Sequence, residues 1–302
     1  MSICRFREEL QNLISGEILV NEPMSLHTTW RIGGPADLML IPEDIEDCWA
    51  AIKLAKKYGI PYLVMGNGSN LLVKDRGIRG LVIKMAAGEV KVDEEQNLIF
   101  APAGTLLPVV ARVAADHALS GLEFAVGIPA SVGGAIVMNA GAHGKSIGEV
   151  VKEVNVLDSD GELLVLPGRD LDFRYRYSNI LQKNFIVTKA VFLLARAPAV
   201  EIKKRMTEFL EKRRQLQPVG KPNAGSVFKN PAGTSAGRLI DAAGCKGLTV
   251  GDAQVSEKHA NFILNLDSAT AHDVLTLIEQ VKNAVYKKFN VMLELEVQVV
   301  GE

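Results

Sequence analysis

Apolar positions along this chain recur at both helical and strand intervals, which predicts a mixed architecture. Phe6, Leu10 and Leu13 on one side predict a short amphipathic helix over residues 5–18, and the link from Gly16 to Ser25 reads as less regular. Leu38-Met39-Leu40-Ile41 reads as a strand closed by Pro42. Ile45, Trp49 and Ile52 then repeat at helical spacing, opened by Glu43 and Asp44, followed by Lys56 and Lys57, and stopped at Gly59. Strands at Tyr62–Met65 and Leu81–Ile83 complete a strand–helix–strand unit.

A second block opens near Gly88. Leu98-Ile99-Phe100 predicts a strand, and 106–116 a helix that tolerates Pro108 in its first turn, where a missing N–H costs little. The stretch 121–149 is dense in glycine and alanine. Val154–Leu157 and Leu163–Leu166 flank Asp158-Ser159-Asp160-Gly161, a hairpin pattern, and Phe185–Leu194 is a long apolar run. Residues 201–214 predict a charged helix with Ile202, Met206, Phe209 and Leu210 inward and a basic outer face, ended by Gln217-Pro218. That face reads either as solvated surface or as an anion attractor. A third block holds the helix 271–288, capped by Thr270, and the alternating stretch Glu294–Val300. With no repeat or flexible linker, the pattern predicts three tightly joined domains, drawn at 1–85, 86–205 and 206–302.

Composition narrows the class. In 302 residues, 34 Lys plus Arg balance 35 Asp plus Glu, a net charge of −1 that offers no overall cationic face for nucleic acid. Cys4, Cys48 and Cys245 are scattered and odd in number, which predicts neither a disulfide framework nor a metal cluster. Met1 leads into Arg5, Glu8 and Glu9 rather than an apolar leader, and no run of 18 apolar residues predicts a membrane span. The expectation is a soluble cytoplasmic α/β or α+β protein.

Glycine clusters supply the candidate chemistry. Gly66-Asn67-Gly68-Ser69-Asn70 follows a strand; its amides and the Ser69 hydroxyl suit either an anion site or an ordinary tight turn. It lacks the third glycine and following helix of a dinucleotide fingerprint. Gly127-Ile128-Pro129-Ala130-Ser131-Val132-Gly133-Gly134, extended by Gly141-Ala142-His143-Gly144, reads as room for a large ligand or as close packing of two elements. Ile32-Gly33-Gly34-Pro35 is a third such segment. Three segments of this kind favour a large cofactor.

Four motifs, taken in order, make the chain recognisable: His27-Thr28-Thr29-Trp30-Arg31-Ile32-Gly33-Gly34, the turn at 66–72, the stretch 121–144, and Asn223-Ala224-Gly225-Ser226-Val227-Phe228-Lys229-Asn230-Pro231. Gly247 through Asn261 and Leu293–Gly301 extend the match, so that it covers the chain from about residue 20 onward. The sequence resembles the UDP-N-acetylenolpyruvoylglucosamine reductases, flavoenzymes of bacterial peptidoglycan synthesis. The resemblance implies an α+β fold: a two-part FAD-binding region of the vanillyl-alcohol-oxidase-like type plus a C-terminal substrate-binding domain. The brevity of the segment from Phe173 to Phe185 implies the short subclass, without an extra substrate-capping loop.

The same resemblance implies an activity. Non-covalent FAD accepts hydride from NADPH and passes it to the enolpyruvyl ether of UDP-N-acetylglucosamine, giving UDP-N-acetylmuramate. No local motif reads a 2'-phosphate, so NADPH rather than NADH comes from the resemblance alone. Neither nucleic acid, membrane nor an obligate protein partner is implied. By motif position, Ser226 is the proton donor, Arg176 the catalytic arginine and Glu296 the catalytic glutamate. Arg174 is the rival to Arg176, since a strand-like segment would place both on one face, and Glu294 is the same-face alternative to Glu296. Gln298 stands where relatives often carry a basic residue, and Trp30 where they are often less bulky. Thr28, Arg31, Gly66, Asn67, Gly68, Ser69, Asn70, Gly127, Ser131, Gly134, Asn139 and Gly141 are the expected FAD contacts. Lys221, Asn223, Lys229, Lys258 and His259 are the expected substrate contacts. The alternatives left open are an FAD oxidase acting on another small molecule and a nucleotide-binding protein without catalysis.

Overall fold

The computed structural model describes residues 3–302 and resolves them into two compact units. The first comprises residues 3–19, Met39–Asn67 and Leu81–Arg213; the second Val20–Leu38, Gly68–Gly80 and Arg214–Glu302. Each unit is assembled from separated stretches, whereas the sequence reading used contiguous ranges.

In the first unit the strong periodicities become elements near their expected bounds. The helix Ile45–Tyr58 starts where the Asp44 carboxylate accepts the Asp47 N–H at 2.8 Å and ends on Gly59 at φ 64°. Tyr62–Met65 pairs in parallel with Leu81–Lys84. The hairpin of Val151–Leu157 and Leu163–Pro167 closes over Asp158, whose carboxylate accepts the N–H groups of Asp160 and Glu162. It lies at one side of a five-stranded antiparallel sheet that continues through Ile186–Leu193, Leu98–Pro102 and Lys91–Asp93. The helix Leu107–Asp116 buries Leu107, Val110, Ala111 and Ala114 in the core that this sheet covers. Ala199–Leu216 buries Ile202 and Met206 there, and its outer Lys203 and Arg205 pair with Asp116 and Glu123.

Three local readings need correction. The first helix is Ile3–Leu13, because the chain then turns so that Ser15 and Gly16 donate to the Asp47 carboxylate; Leu13 is exposed. The link after it contains a strand, Glu17–Pro23, whose mixed burial left no alternation to read. The glycine-rich stretch 121–149 holds a short helix, Val132–Val137, in which glycines masked the helical signal.

The second unit packs the helix Ala271–Phe289, through Val274, Ile278, Val281 and Val285, against a three-stranded antiparallel sheet of Thr249–Val250, Ala253–Val255 and Ile263–Asn265. Thr270 caps that helix as expected, and the Asp75 carboxylate accepts two further N–H groups, from Ala271 and His272. Trp30 is fully buried in this core and donates its indole N–H to the Ile263 carbonyl at 2.9 Å. Its bulk fills core. The terminal stretch is strand only over Gln298–Val300, in parallel register with Leu71–Val73, plus a single bridge between Leu295 and Phe228.

Candidate active site

Within the second unit, the stretch 27–29 lies against the turn at 68–70. Gly68 adopts φ 62°, and a β-carbon there would overlap the His27 carbonyl and stand 3.0 Å from Thr28 Cα, so only glycine fits. The Gly68 carbonyl accepts the Thr29 N–H at 3.4 Å. The N–H groups of Gly68, Ser69 and Asn70 meet no acceptor among the described residues, which leaves three consecutive donors for an anion. That donor set fits the diphosphate of FAD. The Asn70 side chain instead donates to the Glu296 carbonyl at 3.0 Å, and Asn70 O accepts the Gln298 N–H at 2.9 Å, tying the turn to the terminal strand.

Several side chains expected at the cofactor are occupied by the protein's own backbone. Thr28 is 6% exposed, and its hydroxyl donates to the Ile32 carbonyl, closing a turn that places Arg31 at φ 55°. In the first unit, Ser131 is 2% exposed and caps the helix Val132–Val137, accepting the Gly134 N–H. A β-carbon on Gly66 would collide with that hydroxyl, one on Gly127 would stand 2.9 Å from Arg213 Cδ, and Gly141 pairs with Ser146 in a small hairpin. Close packing therefore explains the absent side chains at these three glycines. The Asn67 amide donates to the Pro129 carbonyl at 2.7 Å, fastening the two glycine segments of this unit together.

Arg176 does not lie on a strand. It occupies the tip of a four-residue turn in which Arg174 and Tyr177 exchange both main-chain hydrogen bonds, at 3.0 and 3.2 Å. Its φ of 54° is left-handed, a conformation costing a non-glycine residue on the order of 1 kcal/mol or more. Two anchors hold the turn. The Asn139 side chain donates to the Arg174 carbonyl at 2.8 Å while accepting the Gly148 N–H at 3.0 Å, and the Ser178 hydroxyl donates to the Val137 carbonyl at 2.9 Å. The turn also separates the rivals: Arg174 is exposed and bound at two points by Asp172, at 2.9 and 2.6 Å, whereas the half-buried Arg176 guanidinium lies 5.1 Å from the Tyr175 ring centroid.

Ser226 and Glu296 are carried by chains that meet in the second unit. The Glu296 N–H donates to the Val227 carbonyl at 2.8 Å, and the Lys229 N–H donates to the Glu294 carbonyl at 2.9 Å. Both Ser226 and Glu296 are half-buried. Glu294 is exposed, with Lys229 Nζ 3.5 Å away, so it sits as a surface pair and not as a second inward carboxylate. On the far side, Asn261 is 3% exposed and makes three hydrogen bonds to Val227 and Phe228. Neither Asn139's service to the arginine turn nor Asn261's to the serine stretch was legible in spacing, since each is a lone asparagine in its stretch.

The expected substrate residues share the second unit but differ in state. Lys221 is exposed, and Asn223 spends its side chain on the Lys221 carbonyl and the Gly225 N–H, forming the bend before Ser226. Lys258 donates to the Arg214 carbonyl. His259 accepts the Asn261 N–H at Nδ1, 3.3 Å away, and burial holds its pKa below the ordinary histidine range. His143, in the first unit, stacks on Phe209 at 4.1 Å and is likewise shifted down, first by burial and then by Lys212 and Arg213. Among the described residues no group of three His, Cys, Asp or Glu could hold a metal ion, and no helix is long and apolar enough to cross a membrane.

A family model described as the C-terminal domain of UDP-N-acetylenolpyruvoylglucosamine reductase matches residues 217–300, and one described as an FAD binding domain matches 36–167. The protein named UDP-N-acetylenolpyruvoylglucosamine reductase in Desulforamulus reducens is 51% identical over 294 residues, 97% of each chain. The chain belongs to that reductase family. A second such reductase, from Moorella thermoacetica, is 47% identical over all of this chain and 99% of its own. The crystal structure of the Thermus caldophilus reductase superposes with a TM-score of 0.81 at 40% identity, over 95% of this chain and all of the other. A Physcomitrella patens BBE-like 1 structure, 15% identical with a TM-score of 0.51, covers 63% of this chain and 44% of its own and shares the fold alone. Membership makes this protein an FAD-dependent oxidoreductase of α+β fold.

Proposed function

We propose that the chain reduces the enolpyruvyl ether of UDP-N-acetylglucosamine to UDP-N-acetylmuramate at the expense of NADPH, a cytoplasmic step in making peptidoglycan precursor. FAD, whose diphosphate the N–H groups of Gly68, Ser69 and Asn70 would hold, would supply the hydride chemistry linking NADPH to the terminal vinyl carbon. The protein's part is to hold the substrate, stabilise the charge that develops and add one proton. Arg176 binds the substrate carboxylate, onto which enolate-like charge spreads, through its two-pronged guanidinium. Ser226 gives its hydroxyl proton to the ether-bearing carbon. A serine is a weak acid, and this transfer works because the acceptor is a strongly basic enolate. Glu296 orients the substrate and assists the acid. Lys221, Asn223, Lys229, Lys258 and His259 face the uridine diphosphate.

The observation that carries this reading is the full-length likeness to reductases of that name. The hydrogen bond joining the chains of Ser226 and Glu296 adds geometric support. The proton-donor role is tested with Ser226→Ala. The variant is expected to retain FAD and its reduction by NADPH, while flavin reoxidation by the enolpyruvyl substrate slows roughly 10²-fold or more, the lower range for general acid catalysis. An unchanged stopped-flow reoxidation rate removes Ser226 from that role.

A further inference from the structure

Asn261 is buried, uncharged and eight residues beyond the start of the strand Ala253–Val255, yet its bonds converge on one place. Its carbonyl accepts the Val227 N–H at 2.9 Å. Its side-chain oxygen accepts the Phe228 N–H at 3.0 Å, and its side-chain NH2 donates to the Phe228 carbonyl at 2.8 Å. A side-chain amide satisfying both main-chain groups of one residue imitates a neighbouring strand, where no strand continues. It fixes Phe228 in translation and in rotation.

The other edge of the same segment is also occupied, since Val227 O accepts the Glu296 N–H at 2.8 Å and Phe228 bridges Leu295. Val227 and Phe228 are thus gripped from two sides, immediately after Ser226. Before Ser226 the chain is shaped differently: Gly225 stands at φ 74° with no heavy atom near where its β-carbon would be. The serine therefore sits between an open bend and a clamped pair.

Asn261 is itself held rigidly. Its N–H donates to His259 Nδ1 at 3.3 Å, the Ser256 hydroxyl oxygen accepts the N–H groups of Lys258 and His259, and Ser256 N–H donates to the Phe262 carbonyl at 2.8 Å. A loop whose groups are internally satisfied transmits position without slack.

We infer that Asn261 is the positioning residue for the proton donor, setting the Ser226 hydroxyl by clamping Val227 and Phe228. The inference rests on Ser226 having the proposed role. It predicts an effect confined to the substrate half of the reaction, because displacing a reacting group by a fraction of an ångström to one ångström slows its step without touching flavin reduction.

The test uses the FAD-loaded full chain and Asn261→Ala. Flavin content and the rate of reduction by NADPH should stay within about twofold of wild type. The saturating rate of reoxidation by the enolpyruvyl substrate should fall roughly tenfold, with half-saturation changing far less. Amide exchange at Val227, Phe228 and Glu296 should quicken. Combined with Ser226→Ala, the loss should fall well short of the product of the two single losses, because one change acts through the other. Should Asn261→Ala not fold, Asn261→Ser, which keeps one hydroxyl for Phe228, carries the same measurements. A folded variant with normal reoxidation overturns the inference, as do equal slowing of both half-reactions and losses that simply multiply. Ser226→Ala run alongside separates the two failures. Normal reoxidation there defeats the proton-donor reading, whereas slow Ser226→Ala beside fast Asn261→Ala defeats only the positioning.

Discussion

The Arg174–Tyr177 turn and the stretch around Val227 both carry a residue proposed for catalysis, and they hold it by opposite means. The turn carries its half-buried arginine at the tip, with a left-handed backbone at Arg176 and side-chain anchors from Asn139 and Ser178 at its base. The stretch at Val227 is buried, and its main chain is satisfied on both edges, by Asn261 and by the Glu294–Glu296 chain. The difference matches the chemistry proposed for each side chain. A guanidinium that captures a carboxylate has a long stem and tolerates adjustment, whereas a hydroxyl that must meet one carbon has two bonds of reach and depends on its backbone. In both places the fastening is a buried asparagine amide, Asn139 in one unit and Asn261 in the other.

The sharpest way to break this contrast is at the arginine itself. Arg176→Lys keeps the charge but not the fork, and losing one charge-assisted hydrogen bond of about 1.5–3 kcal/mol predicts a turnover number roughly 10–10²-fold lower. Arg174→Lys, in an exposed pair with Asp172, should leave turnover within about twofold. Reversed results in steady-state assays would exchange the two residues' roles. A step smaller is Asn139→Ala, which removes one of the turn's two anchors and leaves the Gly148 N–H unpaired, a cost of about 1–3 kcal/mol where burial is complete, while the Arg174 carbonyl keeps the Tyr177 N–H. The expectation is turnover reduced several-fold to about tenfold with FAD retained, measured as flavin absorbance per folded protein beside initial rates. Loss of FAD with normal turnover in the loaded fraction would instead return Asn139 to the cofactor.

The smallest effect concerns pH. Burial keeps His259 neutral in the folded chain, its pKa below the ordinary 6.5. As pH falls through that ordinary value, the unfolded chain takes up a proton that the folded chain resists, so stability declines until the folded pKa is passed. Urea midpoints of wild type should therefore drop more between pH 7.5 and 5.5 than those of His259→Gln, and parallel declines would remove His259 from the account.

Much of the fold was legible because periodic burial writes itself into sequence. Ile45–Tyr58 and Ala271–Phe289 carry unbroken stripes and capping residues, Asp44 and Thr270, that act as read. The helix Val132–Val137 and the strand Glu17–Pro23 were missed for opposite reasons: glycines hid the first, and the second has no buried face to alternate. At the candidate site, motif order singled out Ser226, Arg176 and Glu296 as candidates, but residue type could not say that Arg174 is held by Asp172 or that Glu294 meets Lys229 at the surface. Nor could it show that Ser131 and Thr28 spend their hydroxyls on the backbone. Those facts depend on partners distant in sequence or on a local turn that spacing does not encode.

The central claim is that electrons from NADPH end on the enolpyruvyl group, and it can be watched directly in the yellow colour of bound flavin. Under anaerobic conditions one equivalent of NADPH should bleach the protein, and adding enolpyruvyl UDP-N-acetylglucosamine should restore the oxidised spectrum with formation of UDP-N-acetylmuramate. UDP-N-acetylglucosamine, which lacks the vinyl ether, should leave the flavin bleached. A flavin that stays reduced with the enolpyruvyl compound, or recovers equally with both, would contradict the account.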